Sequence, residues 1–196
     1  MKERPIVCAG REVRRILNGN QTVLRRPVGA APDGPPVYDP GDGAWYVDGG
    51  MWSRACPLGI AGDRLWIRET WALKGGKVLY AAAGRWDEDY IDETKREMGI
   101  DRWRSPIAMS RARSRVTLEV VEVRCERAQS ITEEGAKANG AGPEFEADLG
   151  SMIRGGAPPP STHVLGFKHE WDRRNPKAQW ATNPWCWVVS FKRVDK

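Results

Sequence analysis

Gly62-Asp63-Arg64-Leu65-Trp66-Ile67-Arg68-Glu69-Thr70-Trp71 is a turn dipeptide followed by a short alternating run that ends in charged and aromatic side chains. Strand periodicity puts Leu65 and Ile67 on one face and Arg64, Trp66 and Arg68 on the other. The first face reads as core. The second sets a planar donor fork beside a flat ring, which suits a ligand that is both anionic and aromatic, such as a nucleotide. A competing account of the same residues makes Trp66 and Trp71 core residues and pairs Arg68 with Glu69 or a neighbouring acid.

Working outward, Val13, Ile16 and Leu17 repeat at helical spacing and Asn18-Gly19 supplies a stop, which predicts a helix over 10–18. Residues 27–50 hold five prolines and six glycines, a composition expected of a long irregular loop or insertion. Val116, Leu118 and Val120 alternate, then Val121, Val123 and Cys125 alternate in the opposite phase, as in a long strand with a bulge after Val120. Ser130-Ile131-Thr132-Glu133 has the capping-box pattern and Gly140 a stop, predicting a second helix over 131–139. Residues 140–161 are again rich in Gly and Pro. Phe167 and Trp171, four apart, predict a third short helix, and Trp185, Trp187, Val189 and Phe191 alternate along a closing strand. Short strands, short helices and two long loops make an α+β domain built on a small barrel.

The chain has 196 residues, the size of one domain spanning 1–196 with insertions at about 27–50 and 140–161. No apolar run approaches the length that spans a bilayer and Met1–Cys8 lacks the apolar segment of a signal peptide, so a cytoplasmic protein without a membrane partner is expected. The four cysteines, Cys8, Cys56, Cys125 and Cys186, form no C-x-x-C pair. The two histidines, His163 and His169, have no acidic or cysteine partners at ligand spacing. Neither a metal nor any other cofactor is expected.

Net charge is +5, and its distribution is more telling than its size: residues 102–115 hold five arginines and no acid, residues 85–101 hold seven acids, and residues 1–30 hold seven basic residues against two acids. Such segregation favours a polyanionic partner. Ten tryptophans exceed ordinary usage several-fold, and some are expected to line a groove.

With the Gly62–Trp71 block, three further stretches resemble the ASCH-domain proteins of the PUA-like superfamily, in their phage and prophage form. Gly19-Asn20-Gln21-Thr22-Val23-Leu24-Arg25-Arg26 is similar to that family's early segment, Trp103–Arg115 to the segment that enters a long strand, and Asn183–Phe191 to its closing strand. The resemblance covers about 5–194 and implies a PUA-like small β-barrel with short flanking helices and two long Gly/Pro-rich loops.

Some members of that family are amidohydrolases that deacylate acetylcytidine, and the resemblance implies a lysine, a threonine and a glutamate for that chemistry. Here those positions hold Gln21, Leu24 and, where the second helix closes, Asn139. Without a base or a hydroxyl nucleophile that reaction loses orders of magnitude in rate. Thr22, Glu69 and Lys74 are the remaining candidates for a catalytic role.

The function expected is therefore a binding module for RNA, DNA or a modified nucleotide. Arg25, Arg26, Arg68, Arg111 and Arg115 are assigned to phosphate, Trp66, Trp71 and Trp103 to base stacking, and Gln21, Thr22 and Glu69 to the base edge. Arg25 and Arg26 are adjacent on an extended segment, so only one of them lines the pocket. Two alternatives stand beside it: an amidohydrolase acting on N-acylated cytidine, and a host-protein interaction factor using the Pro-rich loops with Trp45, Tyr46 and Trp52. The residues leave the oligomeric state open.

Overall fold

The computed structural model describes residues 1–29, 34–47, 52–83, 95–144 and 162–194. In chain order the elements are β1 (Glu3–Val7), α1 (Gly10–Leu17), β2 (Val23–Pro27), β3 (Val37–Asp39), β4 (Ala44–Tyr46), β5 (Ser53–Ala55), β6 (Arg64–Arg68), β7 (Trp71–Lys74), β8 (Lys77–Tyr80), β9 (Thr117–Arg127), α2 (Glu133–Ala138), α3 (His163–Arg174) and β10 (Trp185–Val194). The fold is α+β, with strands in mixed and antiparallel sheets and few helices. Closure into a barrel is not among the features these residues show. Where the sequence reads as one domain, the described residues gather into two compact units, one from Met1–Asn20, Pro57–Val123 and Ser190–Lys196, the other from Gln21–Cys56 and Arg124–Val189. Among the described residues no helix is long and apolar enough to cross a membrane.

In the first unit β1 runs parallel to β6, with Glu3 opposite Arg64 and Val7 opposite Arg68, and β6 runs antiparallel to the start of β9, with Leu65 opposite Leu118. The Gly62-Asp63 turn registers all three strands. Gly62 takes φ +85, a value that disfavours any side chain, and its N–H donates to the Val120 carbonyl at 2.9 Å. The Asp63 carboxylate accepts the Lys2 N–H at 2.6 Å and a close contact from the Arg4 guanidinium. The hairpin β7–β8 turns through Gly75-Gly76, both at positive φ (55 and 77), the backbone that two-residue loops of the primed type require. α1 ends where the sequence predicts, with Asn18 as its C-cap.

Burial alone would raise the Asp63 carboxyl, but the Lys2 N–H, the Arg4 guanidinium and the Ile60 N–H hold it below the usual carboxylate value. A carboxyl depressed by folding contributes stability above its unfolded pKa of about 3.9 and loses it as the pH falls through the lower folded value. Asp63→Asn is therefore expected to lower the melting temperature at pH 7 and to flatten its decline below about pH 4. Circular-dichroism melts from neutral to acid pH check this, and an acid limb identical to the parent's would remove Asp63 from the account.

β10 lies between β9 and β2 in the strand order; its residues up to Val189 belong to the second unit, where the Val28 N–H reaches the Trp185 carbonyl at 2.8 Å. β10 is buried from Trp185 through Val189 on both faces, so the alternating residues the sequence singled out are only half of its core contribution. Phe167 and Trp171 pack on α3 with ring centroids 5.7 Å apart and join a core with Ala128, Ile131, Ala136, Cys186 and Val188. This helix is the one their spacing predicts.

Two expectations for this unit are corrected. The cap of α2 is Thr132, which accepts the Gly135 N–H at 3.0 Å, because Ala128–Ser130 forms its own 3₁₀ turn and spends the Ser130 hydroxyl on the Arg127 carbonyl at 2.7 Å. The stretch expected to be an irregular loop at 27–50 contains β3 and β4, which with β5 make an antiparallel sheet with Tyr38 opposite Trp45 and Trp45 opposite Arg54. Pro40, Gly41 and Gly43 sit in the hairpin turn, where the Gly43 N–H donates to the Asp39 carbonyl at 3.0 Å, so they close regular structure instead of forbidding it. Most of the second expected loop, residues 145–161, lies outside the described residues.

β9 is continuous over 117–127; its residues up to Val123 belong to the first unit and Arg124–Arg127 to the second. Leu118 and Val120 are buried, whereas Val121 and Glu122 are both exposed, which is where the sequence places the change of phase.

Candidate functional site

The end of β6 and the segment 104–115 build a cationic face in the first unit. Arg68 lies over the Trp66 ring at 4.7 Å. Trp71 exchanges backbone hydrogen bonds with Arg104 at 3.3 and 2.7 Å, and the guanidinium groups of Arg104 and Arg113 lie over its ring at 5.2 and 4.9 Å. Arg113 is steadied by the Tyr80 hydroxyl, which donates to its carbonyl at 2.8 Å. Among the described residues Arg68, Arg104 and Arg113 have no carboxylate partner, and the Nε of Arg68 is buried without any acceptor. A guanidinium already held over an indole ring loses less freedom when it binds than one free in solvent.

The other arginines of this stretch are already engaged. Arg115 gives Glu69 two hydrogen bonds of 2.8 and 2.9 Å while lying over the Tyr80 ring at 4.3 Å. Arg111 bonds both carboxylate oxygens of Glu3, at 2.9 and 3.2 Å, which raises Arg111 and lowers Glu3 from their usual values. Burial raises the Tyr80 phenol, and Arg115 opposes it.

These contacts alter several assignments made from sequence. Trp66 is 8% and Trp71 1% exposed, so neither offers a ring face for stacking; arginines from the same face have folded over both. Glu69 is buried and needs a countercharge, which Arg115 supplies, so the pair is internal and neither edge-reading nor phosphate-binding. Arg68 stacks on Trp66 instead of pairing with Glu69. Lys74 is exposed and donates to the Met98 carbonyl at 2.9 Å. Trp103 is half-buried. The acids at 87–93 lie outside the described residues.

The second unit holds a cavity of about 510 Å³ lined by Val23 and Arg25 of β2, Arg124 and Glu126 of β9, and Ser130, Thr132, Glu134, Gly135 and Ala138 around α2. Arg25 has a side chain only 5% exposed. It reaches the Gly135 carbonyl and Glu126 Oε2 at 3.4 Å each, and its Nε has no partner. Burial pulls the Arg25 guanidinium down from its usual value, and Glu126 partly offsets this. Glu126 Oε1 also accepts the Arg124 Nε–H at 2.8 Å. As the extended segment requires, only one of the adjacent arginines lines the cavity. Arg26 turns away and donates to the Arg25 carbonyl at 3.0 Å.

The residues standing at the hydrolase positions do not line this cavity. Gln21 is buried and donates to the Val23 carbonyl at 3.1 Å, Leu24 is core, and the Asn139 amide donates to the Gly135 carbonyl at 2.8 Å within its own helix end. Thr22 is exposed, with its N–H bonded to the Ala138 carbonyl at 2.9 Å. Sequence reasoning missed Arg124, Glu126 and Thr132. The available signal was the i, i+2 spacing of Arg124 and Glu126, which puts both on one face of β9 opposite Cys125.

Cys125 and Cys186 are pushed up to about 12 by burial, which keeps both as thiols and unsuited to nucleophilic attack. Among the described residues no group of three or more His, Cys, Asp or Glu is placed to hold a metal ion. Set against protein-family models, curated proteins and solved structures, the chain matches none.

Proposed function

We propose that this chain is a nucleic-acid-binding module of the ASCH type, with a PUA-like small barrel as its framework, of the kind phages and prophages carry. Three guanidinium groups, those of Arg68, Arg104 and Arg113, which lie over tryptophan rings and have no carboxylate partner among the described residues, carry the proposal. A cation that is preorganised and not neutralised internally gains most from a phosphate. The uneven spread of basic residues along the sequence supports the same reading. A hydrolase is less well supported, because none of the side chains at the expected catalytic positions lines the cavity: Gln21 and Asn139 donate to backbone carbonyls and Leu24 is core.

Fluorescence anisotropy against single- and double-stranded RNA and DNA over a salt series tests this. Affinity should fall linearly in log salt, and Arg104→Ala or Arg113→Ala should each reduce the slope by about 0.7–0.9. Arg111→Ala, whose side chain is held by Glu3, should change it little. Salt-independent binding, or an unchanged slope in all these variants, would place the phosphate contacts elsewhere.

A further inference from the structure

The cavity in the second unit differs in charge from the arginine face of the first. Its lining holds two arginines, Arg25 and Arg124, and two glutamates, Glu126 and Glu134, which cancel. A free phosphate entering it would meet a carboxylate for every guanidinium. A ligand that is uncharged where it touches the lining, but presents both acceptors and donors, meets no such penalty.

Unused hydrogen-bonding capacity points the same way. The two Nη groups of Arg25 carry four N–H donors, and the oxygen acceptors they meet, Gly135 and Glu126, both lie at 3.4 Å, the outer limit of a hydrogen bond, with the Cys186 sulfur as a further, weak acceptor beside the guanidinium. The Glu126 carboxylate has about four acceptor sites and among the described residues receives Arg124 and Arg25 alone. Glu134, exposed and on the lining, receives no hydrogen bond from the described residues. The wall therefore offers a surplus donor beside two surplus acceptors. A buried guanidinium with long contacts and an orphaned Nε is costly to leave so, and a ligand acceptor at its Nη groups relieves part of that cost.

We propose that this cavity binds a guanine-type base. Guanine's pairing edge presents one acceptor, O6, followed by two donors, N1–H and the N2 amino group. One acceptor and two donors match in number the donor of Arg25 and the carboxylates of Glu126 and Glu134 on the cavity wall. Uracil and cytosine each carry two acceptors and one donor on that edge, so each leaves a lone pair against a carboxylate. Adenine has no keto group for Arg25. At about 510 Å³ the cavity falls within the range of small-molecule sites, roughly 300–1,000 Å³, with room for a base and its sugar. That the heterocycle is a nucleobase rests on the nucleic-acid reading above; the donor and acceptor pattern does not.

Isothermal titration of the full chain with GMP, IMP, AMP, CMP and UMP decides it, since all five share the phosphate and differ only in the base. GMP should bind at least tenfold more tightly than AMP, CMP or UMP. IMP, which lacks the N2 amino group, should fall between. Glu126→Gln and Glu134→Gln leave Arg25 in place; with circular dichroism confirming the fold, Glu126→Gln should weaken GMP at least tenfold and narrow its lead over AMP. Arg25→Lys should weaken GMP similarly, if the variant folds. Equal binding of all five would assign the interaction to phosphate alone and overturn the proposal. So would a preference for another base, no binding by any of the five, or a GMP preference that survives both glutamate substitutions. An oligonucleotide anisotropy measurement on the same sample separates the two claims. Oligonucleotide binding without GMP selectivity defeats this inference alone, and loss of oligonucleotide binding with GMP selectivity retained defeats the backbone-phosphate reading.

Discussion

Arg115→Ala should cost about 3 kcal/mol of folding stability or more, because it strands the Glu69 carboxylate in the interior. The Glu69 side chain is 2% exposed and receives both of its close hydrogen bonds from Arg115, which is itself 26% exposed. An ion pair of this kind adds little net stability over an apolar replacement, yet losing one partner is severe, since the remaining charge can neither reach water nor find another donor. The comparison that isolates the effect is the double variant Glu69→Gln/Arg115→Ala. Urea titration should show it regaining much of the loss. If Arg115→Ala unfolds within about 1 kcal/mol of the parent, within the range of an exposed pair, the bridge is a surface feature. The same measurement bears on function, because an arginine needed inside the fold is unavailable to phosphate.

Gly166→Ala is expected to be comparably damaging, and here two local rules give opposite signs. By helix propensity alone, alanine inside α3 would stabilise by about 1 kcal/mol. The Cβ it adds would lie 1.9 Å from the carbonyl oxygen of Gly142, and that carbonyl is backbone in a segment pinned by the Glu144–Thr162 bridge at 3.0 and 2.7 Å. Overpacking against backbone costs roughly 1–3 kcal/mol and sometimes more, so the clash prevails and the net change should be a loss of about 2 kcal/mol or more. Gly142→Ala is the control: its added Cβ meets nothing within 4 Å and should be near neutral. Gly166→Ala melting above the parent would mean that the Gly142 segment yields freely.

Local punctuation made much of the fold readable. The Gly62-Asp63 turn, the stop after Leu17 and the Phe167/Trp171 spacing each act within a few residues, and each is found in place. What failed to read depended on partners distant in sequence. The strands β3 and β4 exist because they pair with each other and with β5, and no count of prolines reveals a pairing partner. Alternation put Trp66 with Arg64 and Arg68 and away from Leu65, but not that the Arg68 guanidinium would fold back over the ring and bury the supposed outer face. In the same way the alternation of β9 gives Arg124 and Glu126 a shared face but no role. Only the approach of β2 and α2 turns them into the wall of a cavity.

The stacking of Arg104 and Arg113 on Trp71 also gives this protein a built-in optical reporter. Indole emission shifts with the electric field across the ring, and two positive charges at 5.2 and 4.9 Å set that field. An anion settling on those guanidiniums would counter it, while the ring, 1% exposed, stays shielded from aqueous quenchers. Occupancy of the face would then register in the intrinsic fluorescence of the unlabelled chain, and a Trp71→Phe variant would identify the share of the signal that belongs to this ring.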